Sequence, residues 1–315
     1  MELRRLRIAD RLVEVRFASP EVSKRYEPAT RLVETVASTA VTEEPALTIG
    51  CWDTETSGVD LPPIPWIQNN LLHRDRVRGH TTGDVRATYQ QSEGLLQLYD
   101  GRRPMGLMHA TSAAAIPSWT DRAPFRNFIG WWATDLALSM MHSSCVANDG
   151  GAALIAGSSG SGKSTTAMTC VLAGFDFICD DACIVDLDAG GGPVVHGVYG
   201  RSKLEPDAAH RLGLSSEPSG QPLITDPDRW VSQAPVRVLL IPEVTGGRKS
   251  DLVEIPRTEV LRILVPGSIR EGGGLGGRAL QEMTRVVRTI PSLRLLLGTD
   301  PDGVSAAVSR AIEVA

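Results

Sequence analysis

The chain has 315 residues, 42% hydrophobic and 22% charged, with a formal net charge of −5. That length fits about two domains. The composition excludes disorder throughout, and the mild acidity excludes a basic nucleic-acid-binding surface. Glycine is the unusual count, 31 residues against 5% aromatics, and clustered glycines mark backbone that turns sharply or approaches a ligand closely.

No apolar run reaches the roughly 18 residues a membrane span needs, so no membrane partner is expected. The start, Met1-Glu2-Leu3-Arg4-Arg5, has no hydrophobic segment of a secretion signal. The five cysteines, at 51, 145, 170, 179 and 183, form no zinc-ligand pattern and read as free thiols of a cytoplasmic protein.

In chain order, Arg7 to Phe17, Ala87 to Tyr89 and Gly94 to Tyr99 alternate like strands, the last closed by Asp100-Gly101. Thr39 to Pro45 and Gly58 to Pro65 read as loops. An antiparallel β-rich domain is expected over residues 1–120, followed by an α/β domain over 121–315. Phe125 to Met141 reads as one amphipathic helix with a core-packing aromatic stripe, Phe128, Trp131 and Trp132. Ala152 to Ala156 is a short apolar strand. Thr165 to Ala173 is a helix stopped by Gly174, and Phe175 to Cys179 is a strand. Val236 to Ile241 and Leu293 to Leu297 are further strands, and Pro256 to Val265 and Gly277 to Arg288 are helices. Asp300-Pro301 caps a last helix with Val304, Val308 and Ile312 on its apolar face. The alternation argues for an α/β fold.

Between the strand at Ala152 and the helix at Thr165 lies Gly157-Ser158-Ser159-Gly160-Ser161-Gly162-Lys163-Ser164, which matches G-x-x-x-x-G-K-[ST]. Small residues let backbone N–H groups turn inward onto a phosphate, and the following helix aims its positive end at the same anion. Lys163 adds a full charge, and the Ser164 hydroxyl suits Mg2+. Residues 158–165 (Ser158, Ser159, Gly160, Ser161, Gly162, Lys163, Ser164 and Thr165) are therefore the candidate nucleotide contacts. Asp180-Asp181 follows the next strand, at the edge where α/β sheets bind ligands. Two adjacent carboxylates can divide metal holding and proton acceptance. A solvated acidic turn is the other reading of the pair.

Met141-His142-Ser143-Ser144, Ala153 to Thr166, Ala173-Gly174-Phe175 and Asp180-Asp181 together resemble the HPr kinase/phosphorylase superfamily, and more closely its relatives that include lasso-peptide tailoring kinases. The resemblance implies a P-loop HPr kinase-like α/β core behind the β-rich N-terminal domain. It implies ATP and Mg2+ as cofactors, and phosphoryl transfer to a serine-type hydroxyl on a peptide, protein or small molecule. It implies that Lys163 and the loop amides hold the nucleotide. By the same resemblance, Ser164 and Asp181 serve the metal, Asp180 is the base, and His142 tunes that base. His142 also reads as an ordinary core histidine. Lys203 or Arg201 is implied at the transferred phosphoryl group, or is surface charge. Family members are typically oligomers, so a homo-oligomer is allowed.

The glutamate signature of HPr kinases proper is absent. Glu205 lies in its region in another context, so HPr itself is a poor substrate expectation. Gly190-Gly191-Gly192 reads as a hairpin tip and Gly246-Gly247 as a solvated turn. Gly272 to Gly277 reads as a lid over the site or as a connector. Two other functions compete with transfer. One is a different phosphate-loop ATPase, for which Leu239 to Glu243 supplies an apolar strand but puts Pro242 where a metal-binding aspartate belongs. The other is a nucleotide-binding scaffold within a biosynthetic complex.

Overall fold

In a computed structural model the described residues are 1–34, 43–61, 71, 76–202, 204–214, 227–271 and 276–315. They form two mixed sheets and eight α-helices, in two compact units that divide between Leu136 and Ala137. None of these helices is long and apolar enough to cross a membrane.

The first unit opens with a hairpin of β1 (Glu2–Ile8) and β2 (Arg11–Phe17), turned by Ala9 and Asp10 at φ 49° and 58°. Two residues at positive φ match the twist that a two-residue hairpin needs. After α1 (Pro20–Thr30), whose cap Ser19 accepts from the Val22 N–H, come β3 (Leu47–Asp53) and the short α2 (Thr54–Ser57). β4 (Val85–Gln90), β5 (Leu95–Asp100) and β6 (Met105–Ala110) precede α3 (Arg126–Asp135). The order is β1-β2-β3-β6-β5-β4. β2–β3 and β3–β6 are parallel, so the sheet is mixed and not the antiparallel one expected. The crossover containing α1 lets β3 lie alongside β2 in the same direction.

The expected helix over Phe125 to Met141 is corrected in its second half. α3 ends at Asp135, Ala137 takes φ 57°, and β7 (Ser139–Met141) is a strand. The aromatic stripe packs inside the first unit. Trp131 lies with ring centroids 5.9 Å from Tyr99, tilted, and 5.9 Å from Phe128, edge to face, and a Cβ on Gly106 would sit 2.7 Å from the Phe128 ring. These contacts tie the helix to the first unit and move the division past the expected residue 120.

The second unit continues with β8 (Ser143–Asn148), β9 (Gly151–Ala156), α4 (Lys163–Leu172), β10 (Asp176–Cys179), β11 (Cys183–Asp186), β12 (Val194–Gly197) and α5 (Pro206–Arg211). It closes with β13 (Gln233–Val244), β14 (Asp251–Glu254), α6 (Arg257–Glu271), α7 (Gly276–Thr289), β15 (Ser292–Leu297) and α8 (Pro301–Val314). The path is β10-β8-β9-β13-β12-β11-β7, with β15 also on β13 and β14 on β15. β9, β13 and β15 are parallel.

Every residue of β9 is buried, as a strand covered on both faces requires. On one face Ala153, Ile155, Val238 and Leu240 pack with Ala167 and Cys170 of α4 and with Val304, Val308 and Ile312 of α8. On the other, Leu154, Leu239 and Ile241 pack with Val260 and Leu264 of α6 and with Met283, Val286 and Val287 of α7. Asp300 stands at the N-cap of α8, as read from sequence, but its side chain makes no capping bond. Gly190 to Gly192 turns the β11–β12 hairpin, and the exposed Gly246-Gly247 joins β13 to β14. Of the lid reading over Gly272 to Gly277, residues 272–275 lie outside the described residues, and Gly276 and Gly277 open α7.

Candidate functional site

β8 runs antiparallel to both β9 and β10, so β9 and β10 point the same way with β8 between them. The last residues of β9 and β10 and the first of β8 therefore share one sheet edge. Ser143 lies opposite Ala156, and Cys145 opposite Cys179. The glycine loop leaves that edge from Ala156, and Asp180-Asp181 leaves it from Cys179. The expected meeting of loop and acid pair occurs, although the strand next to β9 is β8 and not β10.

The loop enters α4 through Gly162, at φ 98°, where a Cβ would sit 2.8 Å from a Leu297 methyl. The backbone angle requires glycine, whereas the leucine methyl could shift. No side chain caps α4, so its first N–H groups point out of the helix unsatisfied by a cap. Lys163 is buried, and its Nζ donates to the carbonyls of Gly157 (3.0 Å) and Ser158 (3.1 Å), holding the ammonium over its own loop.

Asp180 is buried and surrounded by donors. Its Oδ1 accepts from the Ser144 hydroxyl, the Ser164 hydroxyl (3.0 Å) and the Asp181 N–H (3.0 Å). Its Oδ2 accepts from the Ser202 hydroxyl (3.1 Å). Asp181 follows at φ 72°, a left-handed conformation that aspartate tolerates better than most residues. Its carboxylate Oδ1 is 3.2 Å from His142 Nδ1, and its carbonyl is 2.9 Å from the same nitrogen. Beneath the pair, burial pushes the Cys145 and Cys179 thiols well above their usual range, which leaves them unreactive. All five cysteines are free and buried.

A cavity of about 250 Å³ opens over these groups. It is lined by Ser159, Gly160, Gly162, Lys163, Ser164 and Thr165, by His142, Asp180 and Asp181, and by Leu204, Glu205, Ala208 and Arg211 around α5. Most of the sequence-derived residues thus share one wall. Ser158 and Ser161 do not line it. The first offers its carbonyl to Lys163, and the Ser161 hydroxyl is buried under the loop, close to Gly157. Arg201 is buried and off the cavity wall, and Lys203 lies outside the described residues. Ser164 bonds Asp180, whereas the resemblance gives the metal to Asp181. His142 meets Asp181, whereas the resemblance gives it to the base Asp180.

Ser144, Ser202 and Arg211 carry no role in the sequence reading. Ser144 had a local signal: the small β-capable run Ser143 to Ala147 ends in Asn148-Asp149-Gly150-Gly151, a hairpin turn. Ser202 lies between Arg201 and Lys203, the pair that the resemblance places at the phosphoryl group, and Arg211 reaches the site through tertiary packing alone.

The donor set suits a magnesium nucleotide. Mg2+ is usually held by one or two protein oxygens plus phosphates, and Ser164 with the acid pair supplies them. Among the described residues no group of three or more His, Cys, Asp or Glu residues could hold a metal ion by itself.

No protein-family model matches the chain, and no curated protein does. Among solved structures it is similar to the HPr(Ser) kinase/phosphatase from Coxiella burnetii, at 14% identity, over 54% of this chain and 88% of that one, with a TM-score of 0.31. So low a score carries no functional weight, and function has to be argued from the residues of the site.

Proposed function

We propose that the chain is an ATP-dependent phosphotransferase with an HPr kinase-like P-loop core, moving the terminal phosphoryl group of a magnesium nucleotide to a serine-type hydroxyl. The acceptor is a peptide, a protein or a small molecule. The single observation that carries this reading is the convergence in one cavity of the loop lysine, the uncapped start of α4, Ser164 and two consecutive carboxylates.

Phosphoryl transfer needs positioning and charge neutralisation more than covalent chemistry. The loop amides and the α4 N-terminus would bind the phosphates, and Lys163 would neutralise their outer oxygens. Ser164 and a carboxylate of the pair would hold Mg2+, which when bound neutralises charge developing on the phosphates. The remaining carboxylate would take the proton of the acceptor hydroxyl. The transporter-type ATPase reading is disfavoured by the strand beside β9. Pro242 lies near the loop start, and the acid after it, Glu243, is exposed and ion-paired with Arg294.

The test is incubation with γ-labelled ATP, Mg2+, serine-containing peptides and free L-serine, with Lys163→Met as control. Label on an acceptor, lost by at least 100-fold in the variant, supports transfer. Phosphate release that never labels an acceptor would point to an ATPase and overturn the reading.

A further inference from the structure

We infer that Arg211 is the specificity residue of the acceptor side: its guanidinium reads an anionic group carried beside the hydroxyl that receives the phosphoryl group. This rests on the phosphotransferase reading above and deepens it. Three sets of residues wall the cavity: the glycine loop with the first turn of α4, His142 with the acid pair, and α5 with the residues just before it. The first takes phosphates, and the second takes a metal and a proton. In an in-line transfer the attacking oxygen stands across the phosphorus from the leaving diphosphate. The acceptor therefore lies away from the loop, beside the acid pair and against α5.

α5 is fixed to both halves of that machinery. Leu204, Ala208 and Ala209 pack with Met168 of α4, the helix that the loop lysine opens, and with Phe177 of β10, the strand that leads to the acid pair. Ala208 and Arg211 are three residues apart and so share one helix face, and both line the cavity. Among the described residues, Lys163 and Arg211 are its lysine and arginine lining. They differ in burial. Lys163 is 7% exposed with its ammonium held by loop carbonyls, whereas Arg211 is exposed. The transferred phosphoryl group belongs at the buried end, near Lys163 and Ser164. Arg211 stands at the open side, where it meets the part of the acceptor outside the reacting hydroxyl.

The charge of Arg211 is not neutralised within the chain. Its side chain has no ion pair or hydrogen bond among the described residues, although Asp207 precedes it by one helical turn. Glu205 shares the wall but stands six positions earlier, about 9 Å of helix rise away. A guanidinium presents a planar fork of N–H donors that suits a carboxylate or a phosphate. The acceptor chemistry that fits is thus a hydroxyl with such an anion close to it.

The deciding experiment measures transfer of label from γ-labelled MgATP to two probe sets. One is a serine pentapeptide, capped at both ends, with Asp, Asn or Lys beside the serine. The other is L-serine against L-serinamide. The sets separate an acidic side chain from an α-carboxylate as the source of the anion. Wild type is compared with Arg211→Lys, Arg211→Gln and Arg211→Glu. Thermal unfolding confirms that each variant folds, and calorimetric titration of ATP reads the nucleotide side separately.

With wild type, the anionic probe of at least one set should exceed its neutral counterpart by about tenfold or more in kcat/KM, as one hydrogen bond to a charged group supplies. Arg211→Gln should bring that ratio to within about twofold by raising KM for the anionic probe, with kcat and ATP affinity held within about twofold. Arg211→Lys keeps the charge without the fork and should retain part of the preference. Arg211→Glu should reverse it, so that the Lys peptide outruns the Asp peptide. Three results overturn the assignment: a wild type that labels probes without charge preference, an Arg211→Gln that lowers kcat equally with every probe, and an Arg211→Gln that weakens ATP binding. The second would put the cation on the transferred phosphoryl group and the third on the nucleotide. A wild type that labels none of the probes sinks the phosphotransferase reading itself, so the two failures are told apart.

Discussion

Replacing Ser144 by alanine removes one of the hydroxyl donors on Asp180 without touching the phosphate-facing loop. The Ser144 side chain is buried, so water cannot substitute for its hydroxyl. A hydrogen bond to a charged group contributes about 1.5–3 kcal/mol. For a unit of this size class, 1 kcal/mol shifts Tm by about 2–4 °C. Ser144→Ala should therefore lower the midpoint of the second unit by about 3–12 °C. Ser202→Ala removes the donor on the other carboxylate oxygen and should fall in the same range. Because both act on one carboxylate, their effects should not add, and the double variant should deviate from the sum by about 0.5–3 kcal/mol. Thermal melts of the full chain give the two midpoint shifts, and urea unfolding of both singles and the double gives the non-additivity. A Ser144→Ala variant within about 0.5 kcal/mol of wild type would refute the view of Asp180 as a hub held by buried donors.

Two further outcomes follow from packing and burial. A Cβ at Gly197 on β12 would lie 2.5 Å from the Ile178 carbonyl oxygen on β10, whereas one at Gly190 meets nothing within 4 Å. Gly197→Ala should cost about 1–3 kcal/mol or more from backbone overpacking and Gly190→Ala almost nothing, as paired thermal melts would show. In the first unit, desolvation lowers the pKa of His109 below 6.5 against the opposing charges of Asp53 and Asp60. A histidine held neutral contributes stability that is present above its unfolded pKa. That stability is lost as pH falls through about 6.5 toward the folded value, because the unfolded chain takes up the proton first. Unfolding free energies between pH 8 and pH 5 should decline, and His109→Gln should flatten that decline. An identical slope in the variant would assign the effect to other groups.

The loop and its flanking elements were legible because each step is local. An apolar strand, small residues, a lysine and a helix start lie within one short stretch of sequence, and Gly162 needs glycine for its backbone angle. The helix around Trp131 was legible in its aromatic spacing, but its end was not. Leu138 and Met141 continue a helical spacing, yet β7 pairs with β11, whose residues lie far along the chain. The parallel strands of the first unit were hidden for a similar reason, since alternation marks a strand but not the direction of its partner. Within the site, residue types identified the acid pair, and only geometry separated the two acids. Which aspartate meets Ser164 and which meets His142 depends on the turn at Asp181 and on β8 lying between β9 and β10.

That strand order also bears on how the site is made during folding. β8, β9, α4 and β10 are consecutive, so Ser144, the glycine loop, Ser164 and Asp180 are brought together by one hairpin and one crossover. Short loops close at low entropic cost, and local contacts favour fast formation. Ser202 arrives from further along the chain. The carboxylate shell therefore has a nucleus built from consecutive elements, to which Ser202 is added by a later part of the chain.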